Sequence, residues 1–149
     1  MLDIKRLVKS KVLKYETDDP FKIAEKAGVV VIYEDLLDTM GYFNVYKQIK
    51  IIHINQALPR HEQIFTCSHE LGHVFQHQGV NTPFLMRNTL FSVSKIEREA
   101  NIFAVELLLP DDLLQEYPNI SLYTLAAKRG IPSKLADLKQ LPLLTRKDW

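Results

Sequence analysis

The sequence predicts an α+β domain in which a small antiparallel or mixed sheet packs against a mostly helical second half. Two observations lead to this prediction. Short runs of β-branched and aromatic residues, separated by turn residues, occupy residues 29–55, and helical periodicity dominates from residue 59 onward. With 149 residues, of which 46% are apolar and 25% charged, the chain can build one cored domain. We therefore expect a single domain over residues 1–149, with a C-terminal helical subregion at about residues 119–149.

Two helices are expected at the start of the chain. Leu2–Tyr15 carries apolar residues at close to helical spacing, which predicts a first helix. A second helix is expected near Pro20, because proline fits the first helical position and Asp18 or Asp19 can cap the free N–H groups. Gly28 then suits the left-handed residue at which such a helix ends.

A strand and a hairpin follow these helices. Residues 29–33 are β-branched and predict a strand. Residues 41–55 predict a hairpin with its turn near Lys47-Gln48, and its second strand alternates isoleucines with His53. The edge at residues 42–46 could accept an extended peptide as an added strand beside a metal site. The alternative is a hairpin that only packs against the helices.

The second half of the chain is helical in pattern. Gly79 suits the end of its first helix, Pro110 halts the second, and Asn81-Thr82-Pro83 marks the loop between them. The four helices are expected at about residues 59–78, 95–109, 122–129 and 133–141.

The bulk properties exclude several classes of protein. The net charge is +1, so the composition indicates neither a nucleic-acid nor a membrane partner. Cys67 is the single cysteine, which excludes an intramolecular disulfide framework and suits a reducing compartment. Charged residues interrupt the N-terminal apolar positions, unlike those of a signal peptide, and no segment approaches the roughly 20 apolar residues that span a bilayer. We expect a soluble cytoplasmic protein.

The run His69-Glu70-Leu71-Gly72-His73 predicts a metal site. The histidines lie about 40° apart around the helix axis and one turn apart along it, so both imidazoles can reach one ion. Glu70 lies about 100° further round, where it can reach a water on that ion as general base. Gly72 costs about 1 kcal/mol relative to alanine in mid-helix, which makes sense if another element approaches the backbone closely. The alternative is a chance pattern on a solvent-facing helix.

A third ligand is expected, because catalytic zinc has three protein ligands and one open position. Glu97 could be that ligand, and Asn101 could orient a ligand histidine. Two alternatives remain: Ser94 and Glu97 have capping-box spacing, and Glu99 is a rival ligand about 200° from Glu97. Glu97, Glu99 and Asn101 belong to the helix expected at about residues 95–109. One face of that helix combines Glu97 and Asn101 with two small residues that allow close packing, Ala100 and Ala104.

These motifs resemble those of the ImmA/IrrE family of metallopeptidases. That family pairs a Phe-Thr-x-x-His-Glu-Leu-Gly-His helix with a Glu-x-x-Ala-Asn-x-Phe-Ala helix that ends in Leu-Leu-x-Pro. Here the three motifs are matched by residues 65–73, 97–104 and 107–110. The resemblance extends upstream to Ile23 and covers most of the chain. Gln63-Ile64 and Ser68 depart from residues common in the family, without touching the zinc chemistry.

The resemblance implies a zinc-dependent endopeptidase with a zincin-like core of the gluzincin type. It implies that His69, His73 and Glu97 hold Zn²⁺ and that Glu70 is the catalytic base. Family members often act in phages, mobile elements or stress responses by cleaving helix-turn-helix repressors. The expected partner is therefore a protein, a transcriptional repressor of this kind.

The C-terminal part resembles a helix-turn-helix, with Gly130 in the turn and Ser133 capping the second helix. Asp137 interrupts its basic face, so direct nucleic-acid binding by a non-proteolytic regulator is the less favoured alternative. Docking of a repressor, or covering of the core, is favoured. Four residues of this segment could meet phosphates: Lys128, Arg129, Lys134 and Lys139.

Five further residues are weaker candidates for the site. Cys67 lies about 160° from His69 around the helix and is expected in the core. His77 continues the histidine spacing by one turn; we expect it to be exposed, and lining of the cleft is the alternative. His53 is expected to face outward. Tyr42 and Tyr123 could donate a hydrogen bond in a transition state, although no pattern places either near the metal.

Overall fold

The computed structural model describes residues 2–91 and 94–141 of the chain. A helical start, a strand with a hairpin and a helical second half follow one another, so the α+β prediction is confirmed. The elements are α1 (Leu2–Tyr15), α2 (Pro20–Lys26), β1 (Val30–Glu34), β2 (Thr39–Tyr46), β3 (Ile49–Asn55), α3 (Arg60–Gln76), β4 (Leu85–Met86), α4 (Lys95–Leu108), α5 (Asp111–Glu116), α6 (Leu122–Lys128) and α7 (Ser133–Ala136), with a 3₁₀ turn at Arg87–Thr89.

The four strands form one mixed sheet in the order β1-β3-β2-β4. β1 runs parallel to β3, whereas β2 is antiparallel to both of its neighbours. The hairpin turn falls at Lys47 and Gln48 as predicted, and both residues have positive φ, 48° and 69°. Two consecutive positive φ values are typical of the tight turns whose twist matches that of paired strands.

Local capping explains the bounds of α2. The Asp19 carboxylate accepts a hydrogen bond of 2.9 Å from the N–H of Phe21, so it satisfies one of the free donors at the helix start. Gly28 has a φ of +77°, a left-handed conformation that glycine adopts without steric cost. Both predicted signals therefore act as expected.

Three elements differ from the sequence-based expectation. β4 and α5 were not predicted; α5 starts directly after Pro110, and acidic residues in its first turn favour the helix N-terminus. The last helix ends at Ala136 instead of residue 141. Beyond it the N–H groups of Leu138 and Lys139 still bond three residues back, and the next N–H, that of Gln140, makes a long-range bond to Glu106 Oε2, 2.9 Å away.

The long helices α3 and α4 lie between two apolar clusters. On one side Ile52, Leu71 and Phe103 pack under the sheet with α1 and α2. On the other side Phe65 packs against α6 and α7 through residues such as Leu125. The described part of the expected C-terminal subregion thus shares a core with α3, and residues 142–149 of that subregion lie outside the described residues. None of the described helices has the length and apolar character needed to cross a bilayer.

Candidate active site

α3 and α4 approach each other closely at Gly72. A Cβ at this position would lie 3.0 Å from the Cα of Ala100, 3.1 Å from its carbonyl oxygen and 3.0 Å from the Cβ of Phe103. These distances are shorter than ordinary carbon contacts of about 3.5–4.0 Å. The mid-helix glycine therefore permits the close packing that the sequence led us to expect, and this packing brings one turn of each helix face to face.

Three buried side chains meet at this crossing. Nε2 of His73 lies 2.6 Å from Glu97 Oε1, and Nε2 of His69 lies 3.3 Å from Glu97 Oε2. Both imidazoles have no exposed surface, and Glu97 is 3% exposed. One potential ligand atom from each of the three residues lies within 4.8 Å of the other two. The predicted trio is thus brought together in a geometry that could hold a metal ion.

Two alternatives were open on α4, a capping role for Glu97 and a ligand role for Glu99. The carboxylate of Glu97 points across to the imidazoles of α3 instead of back to the start of its own helix. Glu99 lies outside the trio, with its Oε1 3.0 Å from Nε2 of His77. The structure therefore places Glu97, and not Glu99, at the candidate metal centre.

The second nitrogens of both histidines have partners. Nδ1 of His69 lies 2.8 Å from Oδ1 of Asn101, whose Nδ2 donates to the carbonyl oxygen of Leu90 at 2.8 Å. Nδ1 of His73 lies 2.9 Å from Nδ1 of His77. Asn101 thus has the contact that was expected of it. The exposure expected for His77 is wrong, because its side chain is only 6% exposed. The spacing of three histidines at every fourth residue was the signal that could have found it.

Glu70 is the one acidic side chain at the centre without a partner among the described residues. Neither of its carboxylate oxygens accepts a hydrogen bond, although the residue has no exposed surface. Burial, together with the negative charge of Glu97, raises the pKa of Glu70 to about 8 despite the opposing effect of His69. Burial also tends to raise the pKa of Glu97, but the adjacent imidazoles of His69 and His73 outweigh it and lower that pKa to about 2. Two carboxyl groups whose pKa values are shifted in opposite directions take different chemical roles.

The residues present fit a metal ion. Buried carboxylates and imidazoles are costly unless they are paired or coordinate a metal. Nε2 of His69 lies 3.3 Å from Glu97 Oε2 without the geometry of a hydrogen bond, and both oxygens of Glu70 are buried with no hydrogen-bond partner in the described residues. Two imidazole nitrogens and one carboxylate are donors that suit a divalent transition-metal ion, so the cluster is compatible with such an ion.

Comparison with known proteins decides the family. The family model of a peptidase group, described as the IrrE N-terminal-like domain, matches residues 24–139. The chain belongs to the ImmA/IrrE family of metallopeptidases. Metallopeptidase ImmA of Bacillus subtilis (strain 168) is 32% identical over 142 residues, which cover 91% of this chain and 83% of that protein. Immunity region protein 2 of Bacillus phage phi105 is 45% identical over 141 residues, which cover 93% of this chain and 89% of that protein.

Membership of the ImmA/IrrE family gives the coarse function. A metallopeptidase uses a metal ion and acts on a protein substrate. The buried His-His-Glu cluster is compatible with that ion.

Two other candidates of this ImmA/IrrE protein lie away from the trio. Cys67 is buried in the core as expected, and burial raises the pKa of its thiol, which makes it a poor nucleophile. The outward orientation expected for His53 is wrong: it is 9% exposed and stacks on Tyr42 at 4.1 Å between ring centroids. Polar partners on the neighbouring strands, Glu34 and Asn44, explain why a histidine can be buried there.

Within the described residues, up to 141, the C-terminal segment forms no long basic recognition helix. α7 has four residues, and Gly130 in the preceding turn lies against α3, since a Cβ there would be 2.4 Å from the His61 carbonyl oxygen. The prediction that Lys139 could meet phosphates is wrong, because its side chain is buried between Glu106 and Asp111. Tyr123 is exposed on α6 and donates to Asp137, a contact outside the trio.

Proposed function

We propose that this protein is a zinc-dependent endopeptidase that cleaves a helix-turn-helix transcriptional repressor. This proposal rests on the buried trio of His69, His73 and Glu97, with the carboxylate of Glu70, which has no hydrogen-bond partner in the described residues, beside it. Two imidazoles and one carboxylate are a typical ligand set of catalytic zinc, which keeps its fourth position for water or substrate. Magnesium and calcium favour oxygen ligands, so this donor set supports zinc over either.

The side chains of α3 and α4 divide the chemistry between them. Zinc, when bound, would polarise the scissile carbonyl and lower the pKa of water to about 7. Glu70 follows His69 directly on α3 and has no competing donor among the described residues, so its carboxylate accepts a proton from the attacking water. The carboxyl group formed then delivers that proton to the leaving amine. The pKa of about 2 keeps Glu97 ionised as a ligand.

The free edge of β2 supports the binding of an extended substrate. β4 pairs only with Thr39 and Gly41, so residues 42–46 have no paired strand on that side in the part of the chain that the structure describes, although Tyr42 stacks on Phe84. Gly41 packs against Thr66, where a Cβ would lie 2.5 Å from the threonine methyl group. Thr66 is one helical turn before His69 and Glu70. A peptide paired with this edge would therefore run beside the turn that carries the catalytic side chains.

The choice of a repressor as substrate rests on the family. Members often cleave helix-turn-helix repressors, and one relative is named as a protein of a phage immunity region. The proposal thus separates into two parts, zinc-dependent peptide hydrolysis and the identity of the substrate, and each has its own test.

The first test uses Glu70→Gln, which keeps the size of the side chain and removes the base. Purified wild type and variant are incubated with the DNA-binding regulator encoded beside the gene, with zinc or with excess chelator, and fragments are measured by mass spectrometry. We expect cleavage by the zinc-loaded wild type only, with a loss of about 10²–10⁴-fold in the variant. The exposed Glu25→Gln, on α2, is the matched control. Equal cleavage by wild type and Glu70→Gln would refute the mechanism; cleavage of unfolded casein but not of the regulator would refute only the substrate.

The second test concerns the third ligand. Glu97→Ala removes a carboxylate 2.6 Å from His73, whereas Glu99→Ala removes one outside the trio. Zinc content after equilibration with a slight excess of the ion is measured by elemental analysis. We expect Glu97→Ala to lose most of its zinc and Glu99→Ala to keep most of it. Equal contents in the two variants would remove Glu97 as a ligand.

A further inference from the structure

A chain of hydrogen-bonding side chains leads from His73 away from the trio. His77 ends α3, with a backbone (φ −126°, ψ 41°) that leaves the helix while its N–H still donates to the carbonyl oxygen of His73. Its imidazole lies 2.9 Å from Nδ1 of His73 on one side and 3.0 Å from Oε1 of Glu99 on the other. The Glu99 side chain is 31% exposed, so the chain runs from the buried centre to the protein surface.

The direction of the protons in this chain follows from the position of Glu97. Nε2 of His73 faces Glu97 and must keep its lone pair free if it is to bind a metal. Neutral His73 then carries its proton on Nδ1 and donates it to Nδ1 of His77. His77 in turn carries its proton on Nε2 and donates it to the carboxylate of Glu99. The opposite assignment would place a proton on Nε2 of His73, where it would block the metal.

His69 is oriented by a different device. Its Nδ1 meets the amide oxygen of Asn101, and that amide is held in place by its bond to the Leu90 carbonyl oxygen. An amide oxygen accepts only, so His69 also presents Nε2 to the centre. His73 has no amide partner of this kind in the described residues, and its Nδ1 contact is another imidazole. An imidazole can donate or accept. The carboxylate of Glu99 accepts the proton on Nε2 of His77, and this makes Nδ1 of His77 an acceptor toward His73.

We propose that His77 and Glu99 are positioning residues for His73. Together they select its Nδ1–H tautomer and hold its Nε2 toward the metal; this rests on the proposed function, in which His73 is a zinc ligand. Hydrogen-bonded partners of metal-binding histidines raise the basicity of the ligand, and their removal typically lowers metal affinity about 10–100-fold. Glu99 thus strengthens metal binding through His77 and His73 without being a metal ligand itself.

The affinity test uses His77→Phe, which keeps an aromatic ring and removes both nitrogens. The zinc dissociation constant is measured by competition with a chromophoric chelator, and unfolding of the metal-free protein shows whether the variant is folded. We expect a 10–100-fold weaker affinity for His77→Phe, a smaller loss for Glu99→Ala, and no change for His61→Phe, an exposed histidine on the same helix. Glu99→Gln, which keeps an acceptor oxygen, should recover part of the affinity lost in Glu99→Ala.

A double variant tests whether the two residues act in one chain. If Glu99 acts through His77, adding Glu99→Ala to His77→Phe should cost little further affinity, because the coupling is already broken. Losses that multiply would show two independent effects and would overturn the proposal. An unchanged dissociation constant in both single variants would overturn it as well.

Imidazole nitrogen NMR of zinc-loaded, ¹⁵N-labelled wild type reads the tautomers without any substitution. We expect His73 to be protonated on Nδ1, and His77 to be protonated on Nε2 with a bare Nδ1. A proton on Nδ1 of His77 would overturn the assignment. Failure of the proposed function looks different: wild type would bind zinc no better than Glu97→Ala, whereas failure of the positioning role leaves wild-type binding intact and His77→Phe unaffected.

Discussion

The substitution Gly72→Ala adds one methyl group where α3 and α4 are in close contact. Its Cβ would lie 3.0 Å from the Cα of Ala100 and from the Cβ of Phe103. Normal contact requires about 3.5–4.0 Å, so the helices must separate by roughly 0.5 Å. The contacting atoms belong to the backbone or are fixed to it, so no side-chain rotation can relieve the contact. Overpacking of this kind costs about 1–3 kcal/mol.

A gain in helix propensity opposes this cost. Alanine is favoured over glycine by about 1 kcal/mol inside a helix. The difference leaves Gly72→Ala destabilised by roughly 1 kcal/mol, or about 3 °C in the midpoint of thermal unfolding for a chain of this size. The free energy of unfolding of the metal-free protein in urea measures this effect. The exposed position 6 inside α1 provides the control, since Arg6→Ala and Arg6→Gly differ in helix propensity at a solvent-facing position.

The same separation would also reach the candidate metal centre. His69 and His73 lie on one helix and Glu97 on the other, so a shift of α3 from α4 stretches the trio. We therefore expect weaker zinc binding by Gly72→Ala in the chelator competition. A variant as stable as the wild type, or more stable, would show that the propensity gain is uncompensated and would refute the reasoning about the close contact.

Three further predictions concern the charged core and the buried thiol. Lys139→Met removes a fully buried lysine that bonds Glu106 and Asp111 at 2.8 Å each, so the free energy of unfolding in urea should fall by about 3–5 kcal/mol; a loss below about 1 kcal/mol would contradict a structural role for this pair. Burial raises the pKa of Asp111, but the bonds from Lys139 and Lys5 outweigh it and lower that pKa below its usual value. The stability that ionised Asp111 adds to the folded state is thus complete above the unfolded-state pKa of about 3.9. It is lost as the pH falls through the pKa of the folded state. Asp111→Asn should therefore flatten the decline of unfolding free energy below about pH 4, and an unaltered slope in urea titrations at acidic pH would argue against it. Cys67 should resist a thiol reagent in the native protein and react once guanidinium unfolds the chain, so rapid labelling of the folded state would count against its burial.

Features that depend on neighbours in the chain were predictable from residue types. Asp19, Pro20 and Gly28 bound α2 because capping and left-handed backbone involve only a few consecutive residues. The shared face of His69 and His73 follows from the helical repeat alone. Gly72 indicated a close approach before any partner was known, since a glycine in mid-helix is costly without one.

Contacts between distant segments could not be read in the same way. The sequence left Glu97 with two alternatives, a capping role and the rival Glu99, because either face of α4 could have turned toward α3. The packing of Gly72 on Ala100 decided this rotation, and with it Glu97 faces His69 and His73 while Glu99 reaches His77.

The errors share that physical reason. His53 and His77 were expected in solvent, yet each is buried because polar partners from other elements satisfy its nitrogens. Lys139 was one of four residues that could have met phosphates, and instead it is buried against carboxylates of α4 and α5. By itself the sequence determined most of the elements, the candidate metal-binding turn and the family resemblance, which are local in the chain. Only the tertiary structure decided which charged and polar side chains are buried, because burial of such groups depends on partners far away in the sequence.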